Sequence, residues 1–292
     1  MFIVDLQYRT PHFHRDIEVG IMLDGELDLI RPDGTDTMKT GDFFVTNPFQ
    51  PHELSGRYPA RLLVLQIPVS YFKHLYPQIK TTEFTRLVYH CSQESELCAL
   101  MHAHLLSIGR DYFRQEPLQG LVCAAGINRL FYDLLTKCPT RAISEEERQR
   151  EARHGQRMRR LVDYIDAHHE EKIRLSDFAE EEGLDLYYLS HSFKDYFGIS
   201  FQEYVMRTRC EHASNLLLNT NYSLLDISIS CGFSDPKYMK KGFLQQYGCT
   251  PKEYRKIFHV DTKRTTPEET ITTQNIMSPE ICLVLLESKY VS

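Results

Sequence analysis

Apolar residues between positions 1 and 68 come in short runs separated by turn signals. Met1-Phe2-Ile3-Val4-Asp5 reads as a first strand, and further runs lie at 19–23, 27–31, 42–46 and 61–67. The breaks between them are Asp24-Gly25, Asp33-Gly34, Thr40-Gly41 and Asn47-Pro48. Closely spaced short strands favour a sandwich or barrel. From about 94 the period changes to three and four. Leu97, Leu100, Met101, His104, Leu105, Ile108 and Tyr112 form one stripe, Pro117 breaks it, and Leu121, Ala125, Asn128, Phe131, Leu134 and Leu135 form another. That pattern predicts an amphipathic helix pair, packed either on the barrel or on a second copy of the chain. Residues 139–156 carry almost no apolar side chains and read as a linker. An all-helical region follows to about 259, and then a tail that is Thr-rich from Thr262 to Thr273 and apolar from Ile281 to Leu286. For that tail the pattern predicts at most one docked strand or turn.

The helical region repeats itself. At an offset of 50, Asp185, Tyr188, Phe193, Gly198, Glu203 and Tyr204 match Asp235, Tyr238, Phe243, Gly248, Glu253 and Tyr254. Upstream the offset is 49, pairing Leu175, Asp177 and Gly183 with Leu224, Asp226 and Gly232, so one residue is inserted at or near Ser234. Two copies of one fold tolerate an insertion confined to a turn. Each copy reads as helix–turn–helix, with the units at about 175–197 and 224–247. Gly183 and Gly232 end the first helices, Asp185 and Asp235 cap the second, and Gly198 and Gly248 end those. Ser200 with Glu203, and Thr250 with Glu253, are capping boxes for the helices that follow. Between the copies, 201–219 reads as one helix of roughly 28 Å, close to the ~34 Å between successive major grooves on one side of a duplex. The outer faces of the second helices carry Tyr187, Ser190, His191 and Lys194 in one copy and Lys237, Lys240, Lys241 and Leu244 in the other. Those faces are expected to contact phosphates and base edges.

Charge alone does not announce a nucleic-acid binder, because the net charge is −6. The local balance does more. Residues 223–259 hold six basic and three acidic side chains, whereas 157–222 hold eight basic and twelve acidic. The second unit is therefore expected to supply most of the electrostatic hold, and the first to read hydrogen bonds and shape. The chain has 292 residues, 42% of them hydrophobic, a composition that suits two folded domains and excludes extended disorder. No apolar run reaches the ~18 residues of a membrane span, and no signal peptide opens the sequence. Its eight cysteines form no CxxC pair, as expected of reduced thiols in a cytoplasm.

The repeat resembles the AraC/XylS-type transcription regulators over about 157–257, most specifically in Gly232-Phe-Ser-Asp-Pro-Lys-Tyr238 and Gly248-Cys-Thr-Pro-Lys-Glu-Tyr-Arg255. Met239 stands where that family often has Phe, and Leu244 where it often has a basic residue. The N-terminal part resembles the family's cupin-like sensor. His12-Phe-His14 through Glu18, with Gly25 seven residues later, matches the first cupin motif, and Gly41 through His52 the second. The resemblance implies an α+β chain with a cupin-like barrel at 1–92, a helical dimerisation segment at 93–138, a linker at 139–156, the DNA-binding domain at 157–257 and a tail of unassigned role at 258–292. It implies a cytoplasmic, homodimeric, non-enzymatic regulator without cofactor, bound to two adjacent major grooves of double-stranded DNA. RNA polymerase is a further candidate partner, and no membrane is expected. A small effector such as a sugar is expected at His12, His14, Glu18 and His52, with Tyr8 or Phe13 stacking on its ring. These four residues are also suitable ligand types for a metal, and a metal-dependent cupin enzyme is the alternative. No metal is assigned, because a regulator needs a polar pocket and no metal chemistry. A DNA-repair methyltransferase is set aside because its cysteine metal cluster is missing.

Overall fold

The computed structural model describes residues 1–258 and 274–288. The predicted runs become strands β1 (Phe2–His12), β2 (Asp16–Asp24), β3 (Glu26–Arg31), β4 (Gly34–Lys39), β5 (Phe43–Thr46) and β6 (His52–Pro68) of a nearly closed barrel. β6 is far longer than the expected run at 61–67. It pairs antiparallel with β1 and β2 over its C-terminal part and with β1 and β3 near its start, with a register shift in β1 between Leu6 and Tyr8. Such irregularities bend a strand, which lets one strand serve both halves of a barrel. Gly25 and Gly41 carry positive φ at the two sharp corners, where a side chain would be strained.

The helix pair is present as α1 (Ser95–Arg114) and α2 (Gln119–Lys137). Cys98, Met101, Leu105 and Ile108 of α1, with Ile127, Leu130, Phe131 and Leu134 of α2, bury in one cluster with Ile3, Val19, Phe43 and Leu65 of the barrel. A different apolar set on α2, Leu121, Val122 and Tyr132, faces solvent, with Leu121 71% exposed.

Residues 139–156 are not a plain linker. β9 (Thr140–Ala142) pairs with β7 (Thr82–Phe84), and residues 145–156 form the first half of α3 (Glu145–Ala167). Ser144 caps that helix by accepting from the Glu147 amide, and three glutamates in its first turn favour the positive end of the helix dipole. One capped end is enough to continue a helix whose core-facing residues, Met158, Leu161 and Ile165, begin only later. The C-terminal residues also return to the barrel. β10 (Gln274–Ile276) pairs with β1, and α10 (Pro279–Ser288) buries Cys282 and Leu286 in the barrel–helix cluster. The tail thus docks a strand and a helix, while the Thr262–Thr273 stretch lies outside the described residues.

The repeat folds as two matching units. The first is α4 (Leu175–Glu181) and α5 (Leu186–Phe197), the second α7 (Leu224–Ser230) and α8 (Pro236–Tyr247), joined by α6 (Phe201–Asn219) and closed by α9 (Pro251–Phe258). The expected caps form: the Tyr188 amide donates to Asp185 at 2.9 Å, and the Lys237 amide to Asp235 at 2.8 Å. Thr250 and Glu253 complete a reciprocal box, the Thr250 amide donating to Glu253 at 2.8 Å. Each unit has its own core, with Leu189 and Phe193 in one and Ile227, Met239 and Phe243 in the other.

Candidate DNA interface and sensor cluster

Burial splits α5 into two faces. Leu189, Phe193 and Phe197 point inward, and Tyr187, Ser190, His191 and Lys194 are all exposed on the other side. The Tyr187 ring packs 4.0 Å from the His191 ring, and His191 Nδ1 lies 3.1 Å from the Tyr187 carbonyl oxygen. In α8 Met239, Gly242 and Phe243 point inward. Gly242 has no room for a side chain, because a Cβ there would meet Cys210 Sγ on α6 at 2.5 Å. Opposite lie Lys237, Lys240, Lys241 and Leu244, all exposed. Lys237 pairs with Asp235 at 3.4 Å and sits over the Tyr238 ring, whereas Lys240 and Lys241 make no ion pair among the described residues. All seven expected contact residues thus stand on the solvent faces of the two second helices.

In the barrel, β2, β6 and the loop after β1 aim side chains at one point. Glu18 of β2 lies in register with Thr46 of β5 on one side and Gln66 of β6 on the other. His14 follows the end of β1, and His52 opens β6. His14 Nε2 is 3.4 Å and His52 Nε2 3.7 Å from the Glu18 carboxylate, and Gln66 donates to Glu18 at 2.6 Å. The Nδ1 atoms of His14 and His52 lie 2.8 and 3.0 Å from the carbonyl oxygens of Asp16 and Gln50, which turns both Nε2 atoms inward. Burial opposes the Glu18 charge, but the two histidines outweigh it and hold the carboxyl well below the usual carboxylate range. Burial likewise opposes a proton on His14, and its hydrogen bond to Glu18 outweighs that and raises it. His14, Glu18 and His52 place potential ligand atoms within 4.8 Å of one another. His12 stands apart from that group. Its ring lies 4.3 Å from the His52 ring, its Nδ1 lies 3.1 Å from the Thr10 carbonyl oxygen, and burial with the neighbouring Arg9 charge holds it well below the usual histidine value.

The two expected stacking rings are engaged elsewhere. Phe13 is buried in the core of the first helix–turn–helix unit, 5.3 Å from Tyr196 and 6.1 Å from Phe197, which removes it from the sensor site. Tyr8 packs edge-on against Tyr247 of α8 at 5.6 Å. Both belong to a seam that sequence reasoning missed. There the Tyr196 hydroxyl donates to the Phe49 carbonyl at 2.7 Å, Tyr204 to the Pro11 carbonyl at 2.8 Å, and Tyr254 to Gln7 at 3.2 Å. Thr10 donates to Glu211, and Arg207 of α6 grips both oxygens of Glu53 at 2.7 and 2.6 Å. Burial pushes Glu53 above its usual range even with Arg207 beside it. No pattern within either domain marks these pairs, because the partners lie far apart in sequence.

Comparison with known proteins fits this architecture. Residues 178–257 match a family described as "Helix-turn-helix domain", and residues 5–66 one described as "Cupin domain". The helix–turn–helix match falls on the repeat and the cupin match on the barrel. Among the proteins this chain is similar to, the regulatory protein PocR of Salmonella typhimurium is 40% identical over 102 residues, covering 35% of this chain and 34% of PocR. The virulence regulon transcriptional activator VirF of Yersinia enterocolitica is 24% identical over 273 residues, covering 87% and 95%. The chain spans about a third of the length of the first curated relatives it matches. Of the solved structures, ToxT from Vibrio cholerae aligns over 89% of this chain and all of its own, with 15% identity and a TM-score of 0.48. No helix among the described residues is long and apolar enough to cross a membrane.

Proposed function

We propose that this chain is a transcriptional regulator that binds double-stranded DNA through α5 and α8 in two adjacent major grooves. The observation that carries the reading is the duplicated unit with its outer faces free. Two similar helices, each buried on one side and polar on the other, are joined through α6, a helix roughly 28 Å long. A gel shift on DNA flanking the protein's own locus, run across a salt series and followed by footprinting, tests it. Protection of two patches one helical turn apart is expected. Affinity that ignores salt, or a single short footprint, would count against it.

In the same reading the chain works in the cytoplasm and is not an enzyme. Its sensor domain holds a small effector such as a sugar, using His12, His14, Glu18 and His52. Hydroxyl groups both donate and accept, which suits imidazole and carboxylate partners. The protein acts as a homodimer, and the exposed Leu121, Val122 and Tyr132 of α2 supply an apolar face for it. Light scattering on the full chain should show a dimer that Leu121→Asp converts to monomer. RNA polymerase is the partner through which such a regulator would act.

A specific observation favours a second reading of the sensor cluster, a divalent transition metal held by His14, Glu18 and His52. The His52 Nε2 atom is buried without a hydrogen-bond partner, and the donor set of two imidazoles and a carboxylate fits such an ion. When bound, the ion would polarise an oxygen of the effector or, in a metal-dependent cupin enzyme, of a substrate. The protein's own part is to hold both imidazoles by their Nδ1 sides and the carboxylate by Gln66. Elemental analysis of protein purified without chelators separates the readings. Stoichiometric metal, lost in Glu18→Gln, would establish the second.

A further inference from the structure

Helix α3 carries six arginines between positions 148 and 160. Three are matched by acids: Arg148 by Glu145, Arg159 by Asp163 at 2.9 Å and Arg160 by Glu182 at 2.5 Å. The other three, Arg150, Arg153 and Arg157, make no hydrogen bond or ion pair among the described residues. Spacings of three and four put them on one stripe of the helix, about 10 Å long. Arg150 and Arg153 are exposed, and Arg157 is half-buried with its Nε atom buried and unpartnered. Native structures leave few buried polar atoms unpaired, so Arg157 points to an acceptor from outside the chain. The stripe borders the outer face of α5. His154 lies one turn from both Arg150 and Arg157, and its Nε2 is 2.8 Å from Ser192 Oγ on α5. Burial, and after it the Arg157 and Arg150 charges, hold His154 below the usual histidine value, so both guanidiniums act at that contact. Ser192 lies one turn from Tyr188, which is exposed and precedes His191 by three residues. Two acids within electrostatic range of this edge, Asp195 and Glu182, form no ion pair with the stripe.

We propose that Arg150, Arg153 and Arg157 of α3 hold the phosphodiester backbone of DNA beside the groove that α5 reads. The inference rests on the regulator reading and gives the first unit an electrostatic hold from outside the repeat. On its own outer face α5 offers one lysine where α8 offers three, so the charge that fixes the first unit on a duplex has to come from a neighbouring element. Phosphates follow one another every ~3.4 Å of axis on each strand, so a stripe of about 10 Å spans about three of them. Arginine suits this task, because its planar fork grips two phosphate oxygens at once and never loses its charge. The stripe starts in the half of α3 that buries almost nothing. A helix there lines up guanidiniums that a loose linker would scatter. An acidic protein segment would meet the same charges, but the position beside α5 favours the nucleic acid that α5 faces.

Fluorescence anisotropy on the full chain tests the stripe, over a salt series and with two duplexes of roughly 40 base pairs, about four helical turns. One duplex comes from DNA flanking the protein's own locus and the other has mixed sequence. Arg150→Gln with Arg153→Gln changes only exposed side chains and should melt as wild type does. This double variant should bind both duplexes about tenfold more weakly at physiological salt, and the slope of log K against log salt should flatten by about two. Adding Arg157→Gln should flatten the slope by about one more. Arg150→Lys with Arg153→Lys should keep most of the slope, because the charge remains. Arg148→Gln should change neither quantity, since Arg148 is already paired with Glu145. A wild-type slope in the double Gln variant would overturn the proposal, and so would an equal loss in Arg148→Gln. Ethylation interference on the flanking duplex should lose phosphates at one end of the footprint only, and loss spread over both ends would overturn the placement beside α5. Failure of the regulator reading shows separately, as the lack of any binding of either duplex by the wild-type protein, and it would remove both.

Discussion

The two helix–turn–helix units share helices, caps and spacing, yet they are held by different forces. The first is welded to the sensor: Phe13 enters its core, and Tyr196 donates to the Phe49 carbonyl. Its contact helix offers hydrogen-bonding groups and one lysine. The second keeps a core cluster without a barrel residue in it and meets the barrel through buried side chains, Tyr8 against Tyr247 and Tyr254 against Gln7, and the outer face of α8 offers three lysines. The two copies thus differ: one shares its core with the barrel through Phe13, and the other carries more lysines on its outer face. The α6 helix between them carries an ion pair across the seam, Arg207 with Glu53, so the barrel holds the element that joins both units.

That division can be broken at its hinge. Arg207→Leu leaves the Glu53 carboxylate buried without its partner, and the expected loss is about 3–4 kcal/mol in chemical denaturation. Adding Glu53→Leu should recover most of it, because no uncompensated charge then remains. If the single variant costs less than about 1 kcal/mol, the seam is not closed in solution and the contrast between the two units fails.

The matched turn glycines give the next largest effect. Gly183 and Gly232 occupy equivalent positions, with φ of +65° and +75°. Around Gly183 an added Cβ would meet nothing, but at Gly232 it would lie 2.4 Å from the His169 carbonyl oxygen and 2.7 Å from that of Glu170. Gly183→Ala should therefore cost only the left-handed penalty of about 1 kcal/mol. Gly232→Ala should cost about 2–3 kcal/mol, since backbone must move as well. Equal melting-temperature losses in the two variants would erase this difference between the copies.

Much of this was legible in the sequence, for a physical reason. The repeat, its turn insertion and its caps depend on residues within a few positions of one another, so Gly183, Asp185 and Ser200 announce their roles locally. The sensor cluster was half legible: the His12–His14–Glu18 spacing marks strands that converge, but not that His12 turns its Nδ1 to Thr10 while His14 and His52 turn towards Glu18. The seam was not legible at all. Contacts such as Gln7 with Tyr254 join residues whose local periods say only that each belongs to its own element. Only the first half of α3 was read as linker, because it buries almost nothing and stands on its cap and charge pattern. The three-residue strand β10 is too short to carry a period.

On DNA the contrast should appear as two kinds of loss. Lys240→Ala with Lys241→Ala should weaken binding to every sequence by about tenfold or more at physiological salt. The slope of log K against log salt should flatten by about one to two, because each phosphate contact releases roughly 0.9 counterion. An unchanged slope with intact folding would remove these lysines from the backbone contacts.

The smallest effect is the most discriminating, and it belongs to the first unit. His191 stands on the exposed face of α5, with its ring against Tyr187 and its Nδ1 at hydrogen-bond distance from the Tyr187 carbonyl oxygen. A carbonyl can only accept, so Nδ1 carries a proton, and the tautomer with that one proton leaves Nε2 as an acceptor. In the major groove the matching donors are the amino groups of adenine and cytosine, whereas guanine and thymine present acceptors at those positions. His191→Ala should therefore cost about 1 kcal/mol, the low end for a single base contact, and only on sites that place an adenine or cytosine amino group there. Ser190→Ala should relax preference in the same way at a neighbouring position. Neither should change the salt slope, because neither neutralises a phosphate. The check is a binding series on operators varied one base pair at a time, measured at two salt concentrations. If His191→Ala instead weakens all sites alike and flattens the slope, then α5 grips the backbone as α8 does, and the two units are not specialised.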